Sequence, residues 1–305
     1  MTQWKSMAEH VRIERLEPPT RRPVRAVLDT DTYNEVDDQF ALAYALRSSD
    51  ACTLEAVYAA PFTNNRSTGP GDGMERSYEE ILRVMARLSI EPGDSVYKGS
   101  TRYLPAADTP VESPAARNLV ERARSGADPL YVLTIGTPTN VASALLMDPG
   151  IVEHVVVVWL GGQPYDWHTA VEFNLMQDPH ASRILFDSGV PLVHIPCTNV
   201  AEHLRTTIPE LDACLRGRGP LGDYLCDIVA GYHEDHFAWS KVIWDIATVA
   251  WLVNPGWVAT RLAHSPVLTD GLTYSRDDRR HLVREAYRVD RDAIFRDVFR
   301  KLAVS

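Results

Sequence analysis

Cysteine is scarce in this sequence, and the few present lie far apart. Cys52, Cys197, Cys214 and Cys226 show no CxxC spacing, which argues against a disulfide framework and a thiolate metal site. They read as small buried residues of a reducing compartment, so a cytoplasmic protein is expected. No apolar run approaches the ~18 residues that a membrane span needs. No strongly basic run occurs, and the net charge is −10. Nucleic acid and anionic membrane are therefore not expected as partners. The opening stretch, MTQWKSMAEHVRIERLEPPTRRP, lacks an apolar signal core and carries three glutamates, against secretory and transit readings. Repeats and low-complexity linkers are lacking too. We expect a lead-in segment over residues 1–23, with a short helix ended near Pro18 and Pro19, and one domain over residues 24–305.

The 305 residues that carry these absences are 45% apolar and 24% charged, ordinary for a globular chain. A chain of this size buries roughly 75% of its unfolded surface without staples. Short apolar runs alternate with helical periodicity. Strands are expected at residues 24–28, 54–59, 130–134, 155–160 and 191–195. Helices are expected from Asp37, from Met74, through Leu146, and from Asp178-Pro179 to Gly189. Residues 201–256 read as mainly helical, and the segment from Val258 mixes both types. Such alternation predicts an α/β fold, a mostly parallel open sheet with helices on both faces. Ligands bind beyond the carboxyl ends of strands in these sheets. The stretch DTDTYNEVDD, the loop PFTNN, the turn GTPTN and a GG turn at Gly161 and Gly162 all fall at such ends.

DTDTYNEVDD gathers Asp29, Asp31, Glu35, Asp37 and Asp38 without a Lys or Arg between them. Like charges this close repel, and a hard cation relieves the repulsion better than a helix N-terminus does. The donors are oxygens with no local His or Cys, which favours Ca²⁺ or Mg²⁺ over Zn²⁺. The plainer alternative is a helix cap, from Asp37 or a near neighbour, inside a solvated acidic loop. In VEFNLMQDPHA, Glu172 and Asn174 alternate, as they would on one side of an extended segment facing a polar pocket; a loop with one capping Asp is the alternative. In KVIWDIATVAWL, Asp245 opens an apolar helix and reads as a cap. In YHEDHFAW, His233 and His236 suit surface or capping roles better than a metal pair.

Taken together and in order, these segments resemble the calcium-dependent nucleoside hydrolases of the inosine-uridine-preferring type. That family shows DxDPGxDD, an Asn loop, G-x-x-T-N, A-E-F-N-x-x-x-D-P-x-A and a late His-Asp pair. Here they read DTDTYNEVDD, PFTNN, GTPTN, VEFNLMQDPHA and Trp244-Asp245, across residues 24–255. The resemblance implies hydrolysis of the N-glycosidic bond of a ribonucleoside, with a Ca²⁺-bound water as nucleophile. Asp31 would be metal ligand and base. Asp38, the Ile135 carbonyl and Asp245 would complete the protein ligands. Asp37, Glu172, Asn174 and one of Asn34, Asn64 or Asn65 would hold the ribose. A small-molecule nucleoside would be the partner, and a homo-oligomer, dimer or tetramer, is implied.

Two departures from the family pattern stand out. Five residues, TYNEV, separate Asp31 from Asp37 where the family has three. Trp244 replaces the late His, which in many members protonates the departing base. Indole N–H is too weak an acid for that step. His236 or His233, the nearest in sequence, would then supply the proton, or the base would leave by stacking and solvent protonation. Stacking on Trp244 favours purine ribosides, with purine salvage as the expected role; the plainer alternative is that Trp244 packs beneath the pocket. Two rival functions remain. AVLDTDTY comes close to the nucleophile strand of haloacid-dehalogenase-type phosphatases, but Tyr33 stands where a small residue belongs. A catalytically degenerate riboside-binding relative is the other.

Overall fold

The computed structural model describes Trp4 and residues 7–303. Eight strands form the central sheet: β1 (Val24–Thr30), β2 (Cys52–Ala59), β3 (Val96–Lys98), β4 (Leu130–Thr134), β5 (Val155–Leu160), β6 (Leu192–Ile195), β7 (Val258–His264) and β8 (Leu282–Val289). Their spatial order is β3-β2-β1-β4-β5-β6-β8-β7. All neighbours are parallel except β8 and β7.

Why these runs make a two-faced sheet follows from side-chain alternation. In β5, Val156, Val158 and Leu160 enter one buried core, and Val155, Val157 and Trp159 the other. In β1, Ala26 and Leu28 face the first core, and Val27 the second. The first core is closed by α2 (Asp38–Leu46), α3 (Pro70–Arg87), α9 (Pro220–Ala230), α10 (Ile246–Val253) and α11 (Arg291–Leu302). The second is closed by α4 (Pro114–Ser125), α5 (Thr139–Met147) and α7 (Pro179–Asp187). Among the described residues no helix is long and apolar enough to cross a membrane. The four cysteines are free, three of them buried.

The strands at 130–134 and 155–160 lie where they were expected. The first strand runs on to Thr30, so Asp29 is part of the ladder. The Asp178 carboxylate accepts from the Ala181 amide at 3.0 Å, and Pro179 opens α7, as read. The lead-in helix, α1 (Glu9–Leu16), is present, and Leu16 is fully buried in the first core.

Three local expectations are corrected. Neither Asp37 nor Asp245 caps its helix through its side chain; both carboxylates turn into the site instead. Glu172 and Asn174 are not on an extended run. Glu172 is the N-cap of α6 (Phe173–Gln177), and Asn174 lies within that helix. Residues 201–256 also hold an antiparallel pair, Arg205–Thr206 with Lys241–Val242.

Candidate active site

A cavity of about 830 Å³ opens at the carboxyl edge of the sheet. Asp37 and Asp38 reach it from the end of β1, Asn64 and Asn65 from β2, Ile135 from β4, Glu172 and Asn174 from β5, Cys197 and Thr198 from β6. Successive parallel strands deliver their following loops to one rim, which is how this fold builds a site.

Beneath the cavity sits the acidic group. Single carboxylate oxygens of Asp37, Asp38 and Asp245 lie within 4.8 Å of one another. Asp31 is not in that tight trio, but it adjoins it closely enough that its charge raises the Asp245 pKa. It is fully buried, and neither of its carboxylate oxygens has a hydrogen-bond partner. A Cβ at Gly136 would come within 3.0 Å of the Asp31 carboxyl, so glycine keeps that room open. Asp29, below, accepts from Asn140 at 2.8 Å, the Asn of GTPTN, which makes Asn140 a brace under the acids. Asp38 accepts from the Thr30 hydroxyl at 2.5 Å, and Asp37 from the Trp244 amide at 3.2 Å.

Burial away from water pushes these carboxyls upward, from 3.8 to about 7 for Asp29, about 6 for Asp37 and about 8 for Asp38. Asp31 and Asp245 rise well above the usual range, first through burial and then through the neighbouring carboxylates. So many buried acids cannot all ionise without a counter-charge. An oxygen-only donor set with two partnerless carboxylate oxygens fits a hard divalent cation. Ile135 lines the cavity, and its carbonyl accepts from the Asn174 side-chain amide at 3.0 Å.

Asn174 donates its other hydrogen to the Leu160 carbonyl at 3.1 Å. With both amide hydrogens spent, Oδ1 is the atom of that side chain that remains to accept. Glu172 accepts from the amides of Asn174 at 3.1 Å, Gly162 at 2.7 Å and Leu175 at 3.1 Å. Gly162 adopts φ +65, a conformation that favours glycine. Glu172→Gln is expected to raise KM for a riboside more than it lowers kcat. It should also cost on the order of 1 kcal/mol of stability, because an amide NH₂ would face backbone donors. Steady-state kinetics with a thermal melt checks both, and an unchanged KM contradicts the assignment.

The three candidate asparagines all line the cavity. Asn64 is committed to structure: it donates to the Asn34 side chain at 2.7 Å and accepts from the Arg66 amide at 2.8 Å. Trp244 lines the cavity and also packs against the first core. His236 does not; it is exposed, and its Nε2 pairs with the Ala230 carbonyl at 3.0 Å. His233 pairs with Asp235 in the same exposed loop.

Sequence reading missed Lys241. The acids do have a basic neighbour, delivered by the strand pair noted above. Lys241 is 6% exposed, pairs with Glu35, donates to the Val242 carbonyl at 3.0 Å and lowers the Asp37 pKa. A lone Lys inside an apolar run was the available signal. Cys197, which lines the cavity, was also missed.

A mostly parallel sheet with a cavity and a buried acidic cluster at its carboxyl edge defines an α/β protein with its candidate site at the strand ends. The family follows from comparison. The model of the inosine-uridine preferring nucleoside hydrolases matches residues 26–296, and the chain belongs to that family of ribonucleoside N-ribosyl hydrolases. It is 24% identical to a probable uridine nucleosidase 2 of Arabidopsis thaliana, over 82% of this chain and 83% of that one. It is 27% identical to the pyrimidine-specific ribonucleoside hydrolase RihA of Salmonella enteritidis, over 72% and 76%. Its fold superposes on a purine-preferring ribonucleoside hydrolase from Gardnerella vaginalis with a TM-score of 0.73, 21% identity, and 92% and 98% coverage. Family membership sets aside the phosphatase alternative.

Proposed function

We propose that the protein cleaves ribonucleosides to free base and ribose in a site built around one Ca²⁺, held by Asp31, Asp38, Asp245 and the Ile135 carbonyl. The observation that carries this reading is Asp31: a buried carboxylate at a strand end with both oxygens partnerless. When bound, the cation supplies a fixed positive charge that lowers the pKa of a water and grips ribose hydroxyls. Asp31 accepts the proton of the attacking water. Asp37 accepts from a ribose hydroxyl. Asn174 and Glu172 bind the remainder of the sugar, energy that is applied away from the breaking bond. The C1′–N bond opens through an oxocarbenium-like state as the water oxygen bonds to C1′, and the base leaves with the bonding electron pair and takes a proton from solvent, since His233 and His236 lie outside the cavity.

Base preference has support on two sides. Trp244 in the cavity wall supports stacking on a purine, as the sequence suggested. The names of the two curated relatives support pyrimidine ribosides. Reducing-sugar release from inosine, adenosine, uridine and cytidine, in Ca²⁺, tests function and preference together. Ribose from at least one is expected, with inosine and adenosine ahead if Trp244 stacks. Riboside binding without turnover would instead make this a degenerate relative. The four free cysteines support a reducing cytoplasm for this activity.

A further inference from the structure

The segment Tyr33–Val36 carries one acidic side chain, Glu35, onto the cavity wall. Three distant groups pin it there. Lys241 pairs with one carboxylate oxygen, and the Tyr232 hydroxyl donates to the other at 2.9 Å. Arg66 donates to the Glu35 carbonyl at 2.7 Å while its guanidinium lies 4.6 Å from the Tyr33 ring. Lys241 in turn lies 4.9 Å from the Tyr232 ring. The Glu35 side chain stays 30% exposed. Each oxygen has spent one acceptor site, so each keeps another for a ligand.

Its position says which part of a riboside it meets. Glu172 and Asn174 follow β5, Glu35 follows β1, and β4 with Ile135 runs between those strands. A sugar held by Glu172 and Asn174 at one side, with its diol at the acids, sends its base toward the side of Glu35 and Tyr232. A carboxylate paired with Lys241 offers acceptors only, and nucleobases present ring N–H and exocyclic amino donors on the edge away from the sugar.

We propose that Glu35 is a specificity-determining residue that accepts a hydrogen bond from a ring N–H or exocyclic amino group of the base. The proposal rests on the riboside reading above. Lys241 and Tyr232 are the positioning residues that hold Glu35 in register.

The test compares inosine with unsubstituted purine riboside, whose base has no N–H donor. The ratio of kcat/KM for the two is measured in the wild type, Glu35→Ala and Glu35→Gln. Comparing ratios between proteins cancels the difference in leaving-group chemistry. A lost hydrogen bond to a charged group predicts that the inosine advantage falls about tenfold or more in Glu35→Ala. Glu35→Gln keeps the shape with fewer acceptors and should fall between, and a melt of each variant confirms folding. If both substrates slow by the same factor in both variants, Glu35 is only structural and the proposal fails while the hydrolase reading stands. If the wild type hydrolyses no riboside at all, that reading fails and takes the proposal with it.

Discussion

Asp31→Asn slows nucleoside hydrolysis by ~10²–10⁴-fold or more and leaves the fold in place. The substitution conserves volume at a side chain that is fully buried. It removes a base and one ligand charge together. Without the cation, burial and the Asp38 and Asp37 carboxylates already push Asp31 toward its neutral form, so an uncharged Asn in its place should let the cation-free variant melt no lower than the cation-free wild type. That pairing of effects separates chemistry from folding. Wild-type-like turnover in the variant would remove Asp31 from the mechanism.

The second large effect is on stability, in the presence of a chelator. Asp29, Asp37 and Asp38 ionise at about 7, 6 and 8 in the folded protein against an ordinary 3.8. Their folded pKa values lie above the unfolded ones, so the folded state binds more protons between those limits. Stability is then lost as pH rises from about 4 through about 8. Lys241 offsets part of this at Asp37. Excess Ca²⁺ supplies the missing counter-charge and binds only the folded form, so it should raise the melting temperature most at pH 8 and least at pH 5. Melting curves at both pH values, with chelator and with Ca²⁺, check the sign. A chelated protein as stable at pH 8 as at pH 5 would contradict it.

Much of this site was legible because parallel strands advertise themselves. Residues 130–133 and 155–160 are apolar runs with turns beyond them, and buried parallel strands need that composition. Asp178-Pro179 marked its helix start because a cap and a first-turn proline act locally. Local logic also misled. Asp37 and Asp245 stand where caps stand, yet each spends its carboxylate on the acidic group. Glu172 and Asn174 alternate as in a strand, yet the amides of Asn174 and Leu175 make Glu172 an N-cap. Lys241 escaped notice because its pairing with Glu35 spans 206 residues of sequence. Strand order was equally hidden. Nothing local says that β8 inserts beside β6 and leaves β7 at the edge.

The proposed site holds one divalent cation among the buried acids where the ribose binds. Diffraction from crystals grown in Ca²⁺ should show a single anomalous peak among Asp31, Asp38 and Asp245, with carboxylate oxygens and the Ile135 carbonyl at ~2.3–2.6 Å. A lysine or arginine nitrogen occupying that place, with activity surviving a chelator, would contradict it.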